Sequence, residues 1–165
     1  MPFQPFAAAL LALLALLFAG CDQQRIAKLE EGVATEADVR REFGEPQAVF
    51  SEADGRRTFE YARQPEGQTN YFITIGADGK MTALRQVLKP AEFAKVMPGL
   101  DKAAVRRLLG RPAKTQRFDL KPDEEHWDWR WLDGQQAKLF SVTFDRDGKV
   151  MATAISDDLR DNQRP

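Results

Sequence analysis

The chain has 165 residues, with 24 basic against 25 acidic side chains, one histidine and one cysteine. So even a balance excludes the basic footprint of a nucleic-acid binder. A single cysteine excludes an intramolecular disulfide, and a single histidine excludes a histidine-rich metal site.

Residues 6–19 are almost wholly Ala, Leu and Phe, and no charge precedes Asp22. The run is shorter than the ~20 apolar residues that span a bilayer, so residues 1–20 read as a signal peptide rather than a membrane anchor. Phe18-Ala19-Gly20-Cys21 sets small residues before the only cysteine and resembles a lipobox, with Phe18 where Leu is usual. That resemblance implies cleavage after Gly20 and acylation of the Cys21 thiol. Acyl chains hold a protein on a membrane without a transmembrane helix, at ~0.8 kcal/mol per buried methylene. The remaining residues suffice for one domain, or two small ones, with a real core.

The rest of the chain repeats itself. Val39-Arg40-Arg41 and Gly44-x-Pro46 recur as Val105-Arg106-Arg107 and Gly110-x-Pro112 at an offset of 66 residues. Tyr71, Ile73, Ile75 and Asp78-Gly79-Lys80 recur as Phe140, Val142, Phe144 and Asp147-Gly148-Lys149 at an offset of 69. The expected units are residues 22–89 and 90–156, followed by a polar, frayed tail at 157–165.

In chain order, each unit opens with a short helix, 24–31 and 91–97, stopped by Gly32 and by Pro98-Gly99. Thr35 and Asp101 then cap a second helix, and Asp38 makes an imperfect capping box with Thr35. Gly44 and Gly110 fit the residue just past the helix end, where Pro46 and Pro112 forbid continuation. Val39 with Phe43, and Val105 with Leu109, lie one turn apart on one face. Expected strands are 47–52, 58–61, 71–76 and 81–88 in the first unit, and 114–119, 125–132, 137–145 and 149–156 in the second. They are separated by turns at Asp54-Gly55, Asp78-Gly79, Asp133-Gly134 and Asp147-Gly148. Helices segregated from runs of antiparallel strands make an α+β fold, here a tandem repeat.

The segment His126-Trp127-Asp128-Trp129-Arg130-Trp131 alternates with period two. Trp127, Trp129 and Trp131 share one sheet face, expected to be core like Phe59 and Tyr61 of the first unit. The opposite face collects His126, Asp128, Arg130, Lys138, Ser141, Thr143 and Asp145. Two readings of that face stand open: a solvated sheet surface, normal for antiparallel sheets, and a protein-docking surface. Catalytic constellations are scarce. Asp128 is placed to orient His126, but no Gly-x-Ser-x-Gly, no phosphate loop and no Gly-x-Gly-x-x-Gly after a strand occurs. A protein without enzymatic activity, metal or cofactor is expected.

Three stretches of the first unit, Ile26-Ala27-Lys28-Leu29-Glu30-Glu31-Gly32, Thr35-Glu36-Ala37-Asp38-Val39 and Phe43-Gly44-Glu45-Pro46, resemble the SmpA/OmlA lipoprotein family of BamE-type outer-membrane assembly factors. The same pattern returns from Val96 through Asp101 to Pro112. Trp127 to Trp131 and Phe144-Asp145-Arg146-Asp147-Gly148-Lys149-Val150 resemble the family's aromatic strand and last hairpin. A tandem pair of such units is also similar to the β-lactamase-inhibitor-protein fold, whose sheet surface binds an enzyme. The family carries one unit and a longer extended segment after its cysteine; this chain carries two units and enters its first helix at once. The resemblance implies a lipid-anchored envelope protein that supports outer-membrane protein assembly or envelope integrity by binding protein, with the β-barrel assembly machine as candidate partner. The alternative is a periplasmic inhibitor or sensor that holds an envelope hydrolase on its sheet face. The family favours the outer membrane, facing the periplasm; Asp22 resembles an inner-membrane retention signal.

Overall fold

The computed structural model describes residues 21–160; the expected signal peptide and residues 161–165 lie outside the described residues. The first half runs α1 (Cys21–Ile26), α2 (Glu36–Phe43), β1 (Ala48–Ser51), β2 (Arg57–Ala62), β3 (Asn70–Ile75) and β4 (Met81–Gln86). The second runs α3 (Pro90–Phe93), α4 (Lys102–Leu109), β5 (Lys114–Phe118), β6 (Lys121–Asp133), β7 (Gln136–Phe144) and β8 (Val150–Asp157). Each set of four strands forms its own antiparallel sheet, ordered as in the sequence. The fold is mixed α/β, and strand outweighs helix among the described residues.

The opening helices are shorter than their apolar spacing suggests. Residues 32–34 and 99–100, at and past the expected helix stops, pair with the start of the last strand of each half. Gly32 N donates to Met81 O and Met81 N to Ala34 O, both at 2.7 Å; Gly99 N donates to Val150 O and Val150 N to Leu100 O, both at 2.8 Å. Against the expected 24–31 and 91–97, α1 and α3 begin earlier, at Cys21 and Pro90, and end earlier, at Ile26 and Phe93. The second helices keep their expected caps. Thr35 accepts from Asp38 N while Asp38 takes the Thr35 N–H, a complete capping box, and Asp101 accepts from Ala104 N.

Both second helices end on a glycine at positive φ, Gly44 at 81° and Gly110 at 75°, a conformation that β-carbons disfavour. An aromatic side chain from the sheet then ties down each glycine carbonyl. Tyr61 Oη donates to Gly44 O and Trp129 Nε1 to Gly110 O, each at 3.0 Å.

Two hydrophobic clusters hold the layers. One joins Val39 and Phe43 of α2 to Phe59, Tyr61, Tyr71, Ile73 and Ile75. The other joins Phe93, Val96, Val105 and Leu109 to Trp129, Trp131, Phe140, Val142 and Phe144, and it also takes Phe72, Val87 and Leu88 from the first half. Phe72 points away from α2 because strand side chains alternate. It lands among the helices of the second half, and all six residues of β3 are buried. The layers thus run α1/α2, first sheet, α3/α4, second sheet. Among the described residues, only the first sheet has a helix layer on both faces.

Polar side chains seal this joint. Glu60, fully buried, accepts from Arg106 Nη2 at 3.0 and 2.8 Å and from Arg111 N at 2.6 Å. Asn70 Nδ2 donates to Leu109 O and Arg111 O at 2.7 and 3.0 Å; the first is a carbonyl that the end of α4 leaves without an intrahelical partner. A β-carbon on Gly110 would lie 3.0 Å from Asn70 Nδ2, so this close approach also needs glycine.

Candidate partner-binding face

The outer face of the second sheet is set by register. Gln116, His126, Thr143 and Ala152 form one row across the four strands; Lys114, Asp128, Ser141 and Ala154 form the next. Arg130, Leu139 and Ser156 form a third. The expected core face holds: Trp129 and Trp131 are buried, while Trp127, near the end of the helix layer, is half-buried. Lys138 does not belong with the polar residues. It stands directly opposite Trp131, hence on the tryptophan side, where its Nζ bonds Asp157 Oδ1 at 2.6 Å. Counting along β7 from Phe140 gives this placement, since residues of one parity share a face.

His126, Asp128 and Thr143 do share the outer face, each tied to its neighbour across the strands. Thr143 Oγ1 lies 3.2 Å from His126 Nδ1, and Ser141 Oγ donates to Asp128 Oδ1 at 2.6 Å. His126 Nε2 is 3.3 Å from Glu124 Oε2 but makes no hydrogen bond. Phe118 meets the imidazole edge-on at 5.2 Å between centroids. Ser141 is thus engaged by a carboxylate rather than by the imidazole, which is not the relay a serine nucleophile needs. Among the described residues no group of three or more His, Cys, Asp or Glu is placed to hold a metal.

Arg130 lies on the expected face but is not solvated. Its side chain is 8% exposed and pairs with Asp158, which is 3% exposed. It also reaches Pro65 O and Glu66 O at 3.4 and 3.5 Å. Two segments cover it: the loop after β2 and the residues after β8. The expected frayed tail is therefore held as far as Arg160, whose Nη2 donates to Pro65 O at 3.0 Å. Asp158 N also bonds Ala137 O at 3.0 Å.

That loop is fastened by a side-chain amide. Gln64 Nε2 donates to Arg130 O at 2.8 Å and Gln64 Oε1 accepts from Arg130 N at 3.2 Å. In the first sheet Gln47 makes the same pair of bonds to Ala62, at 3.2 and 2.6 Å. The position matching Gln47 in the second half is Ala113, so a glutamine from the first half fills the place. Beside it lies a cleft of about 400 Å³ whose walls include Pro65, Lys114, Asp128, Arg130 and Arg160. Lys114 and Gln116 were legible from alternation in β5. Asp158 and Gln64 carry no local signal, because each acts through a contact distant in sequence.

Glu125, at the end of the tryptophan side, is held by several donors at once. Burial pushes its pKa up. Hydrogen bonds from Lys102 (2.8 Å), Trp127 Nε1 (2.6 Å) and Arg117 (3.0 and 2.7 Å), with the Lys102 charge, outweigh burial and hold it at about 2.

No protein-family model matches the chain, and no curated protein does. Solved structures do match. An osmotically inducible lipoprotein, OsmE, is 25% identical with a TM-score of 0.38, over 43% of this chain and 82% of its own. A DUF4309-family protein, YjgB, of Bacillus subtilis is 16% identical with a TM-score of 0.31, over 79% and 82%. An extracellular SCP-domain protein of Bacillus anthracis is 10% identical with a TM-score of 0.31, over 81% and 45%.

Proposed function

We propose that this chain is a lipid-anchored protein of the bacterial envelope, built from a duplicated helix–helix–sheet unit, that binds another protein through the outer face of its second sheet. The observation that carries the reading is the uncovered face. The first sheet buries its outer face under α3 and α4, whereas the second, among the described residues, leaves the rows around His126, Asp128 and Thr143 open. The proposed role is support of outer-membrane protein assembly or envelope integrity, without a catalytic group or cofactor.

The anchor is Cys21, the first residue of α1. Asp22 beside it accepts from Arg63 Nε and Nη2 at 3.0 and 2.9 Å. A lipid on Cys21 therefore leaves no spacer between the folded domain and the bilayer. No helix among the described residues is long and apolar enough to cross a membrane. Palmitate labelling of Cys21→Ser tests the anchor; a variant that keeps its label and stays on membranes refutes it. Density-gradient separation tests the outer membrane, and co-sedimentation with inner-membrane markers refutes that placement.

The face is tested by exchanging two charges that oppose one another across β5 and β6, Lys114→Glu with Asp128→Lys. Arg130 is left alone because it is buried. Recovery of the partner from crosslinked cells should fall at least tenfold, since like charges are costly at an interface and cheap on a wet surface. Recovery of assembly-machine subunits supports the assembly role; recovery of a soluble hydrolase supports the inhibitor role. Unchanged recovery from the double variant removes this face from consideration. Unaltered porin levels and detergent resistance after gene deletion remove the assembly role.

A further inference from the structure

The two sheets also differ at their last strands. β4 and β8 are both edge strands, and the pairing Ile73↔Leu84 matches Val142↔Thr153. On β4 the outward N–H of Leu84 is taken by Glu31 Oε1 at 3.1 Å, and Arg85 stands on the strand. On β8 the place of Glu31 is held by Pro98, and residues 150–156 contain no charge and no proline. Charge, proline and covering segments are the usual devices that keep an edge from pairing.

The hairpin bond Asp145 N→Lys149 O at one end and Asp158 N→Ala137 O at the other fix which backbone groups face β7. Ala152, Ala154 and Ser156 turn inward, and Thr153, Ile155 and Asp157 turn their N–H and C=O outward. Among the described residues, only the start of the strand is occupied, by the bonds between Val150 and residues 99–100.

We propose that β8 pairs with β8 of a second copy of this chain, antiparallel about a twofold axis at Ile155, joining the two second sheets into one of eight strands. This register sets Ile155 opposite Ile155, Thr153 opposite Asp157 and Ala154 opposite Ser156. It uses all three outward backbone pairs at once. A register centred nearer Val150 would lay the partner strand on residues 99–100. No like charges meet, and the Thr153 hydroxyl faces the carboxylate of the partner's Asp157. Ile155, 54% exposed, flanks a groove of about 370 Å³ walled by Pro90, Phe93 and Phe140. The partner's Ile155 projects from the same sheet face and covers that apolar surface. The contact is self-complementary and closes on itself. The other edge, β5, carries Lys114 and Arg117.

Oxidative crosslinking of the full chain tests the register. Residues opposed in a hydrogen-bonded antiparallel pair have Cα atoms ~5.5 Å apart, inside disulfide reach. Ile155→Cys should give at least tenfold more covalent dimer than wild type, whose only cysteine is Cys21, or Thr153→Cys, whose copies lie beyond ~7 Å in this register. Adding Thr153→Pro removes an outward N–H that β7 does not use and should cut the crosslink at least tenfold. Light scattering of the full chain in detergent gives the second readout: dimeric wild type and monomeric Ile155→Lys, with unchanged melting. Equal crosslinking at 153 and 155, or a wild type that stays monomeric at tens of micromolar, overturns the proposal.

Discussion

Glu60 and Asp128 stand at matching places in their sheets, each opposite the first strand (Ala48, Lys114) and the third (Phe72, Ser141). Glu60 is sealed from water and holds Arg106 and the Arg111 N–H; Asp128 is half-buried and holds the Ser141 hydroxyl. The alternation that aims both carboxylates is the same. What differs is the neighbour, α4 for the first sheet and, among the described residues, no helix layer for the second. An acidic residue on a strand is therefore a structural clamp in one half and, among the described residues, an available contact in the other.

That comparison can be broken in several ways. The largest effect should come from the covered side of the second sheet. Trp129→Ala removes a fully buried indole and its bond to Gly110 O, and should cost ~3–5 kcal/mol in urea melts. A loss below ~1 kcal/mol would mean that this side is not core.

Next, Glu60→Ala should cost about 2–3 kcal/mol, because it strands the Arg111 N–H and a partly exposed Arg106. Asp128→Ala should stay under about 1 kcal/mol. Equal losses in the two melts would show that the second outer face is also covered.

Gln64→Ala removes two hydrogen bonds to the Arg130 backbone and should lose about 1–2 kcal/mol, as should Gln47→Ala at the matching place. The two should differ in hydrogen exchange: Gln64→Ala frees the loop between β2 and β3 and the Arg130 amide, and Gln47→Ala leaves both protected.

The smallest effect is the acid limb. Glu125 has a folded pKa of about 2 against an ordinary 4.5. Its contribution is fully present above pH 4.5 and is lost as pH falls through about 2. Glu125→Gln should flatten the decline of the urea midpoint between those values. An identical decline in wild type and variant would assign it elsewhere. Asp38 is the obvious candidate, since the Thr35 backbone and hydroxyl bonds and Arg41 hold it at about 2 as well.

Much of the fold is legible in the amino-acid sequence because its causes are local. Thr35 and Asp101 cap their helices, Gly44 and Gly110 end them, and the parity of Phe59, Tyr61, Trp129 and Trp131 aims them inward. Each depends on backbone geometry within a few residues, and the same local rules repeated in two halves make the repetition visible. Parity also governs Lys138, which belongs with Trp131 and not with Thr143.

Packing between the halves has no such signature. Phe72 reads as an ordinary outward strand residue until α3 and α4 lie on it. Arg130 reads as a solvated cation until Gln64, Pro65 and Asp158 close over it. Alternation fixes which way a side chain points, because each peptide turns the next residue to the other side of the sheet. It does not say what lies there, because burial is a property of the partner surface, and that surface is supplied by residues distant in sequence.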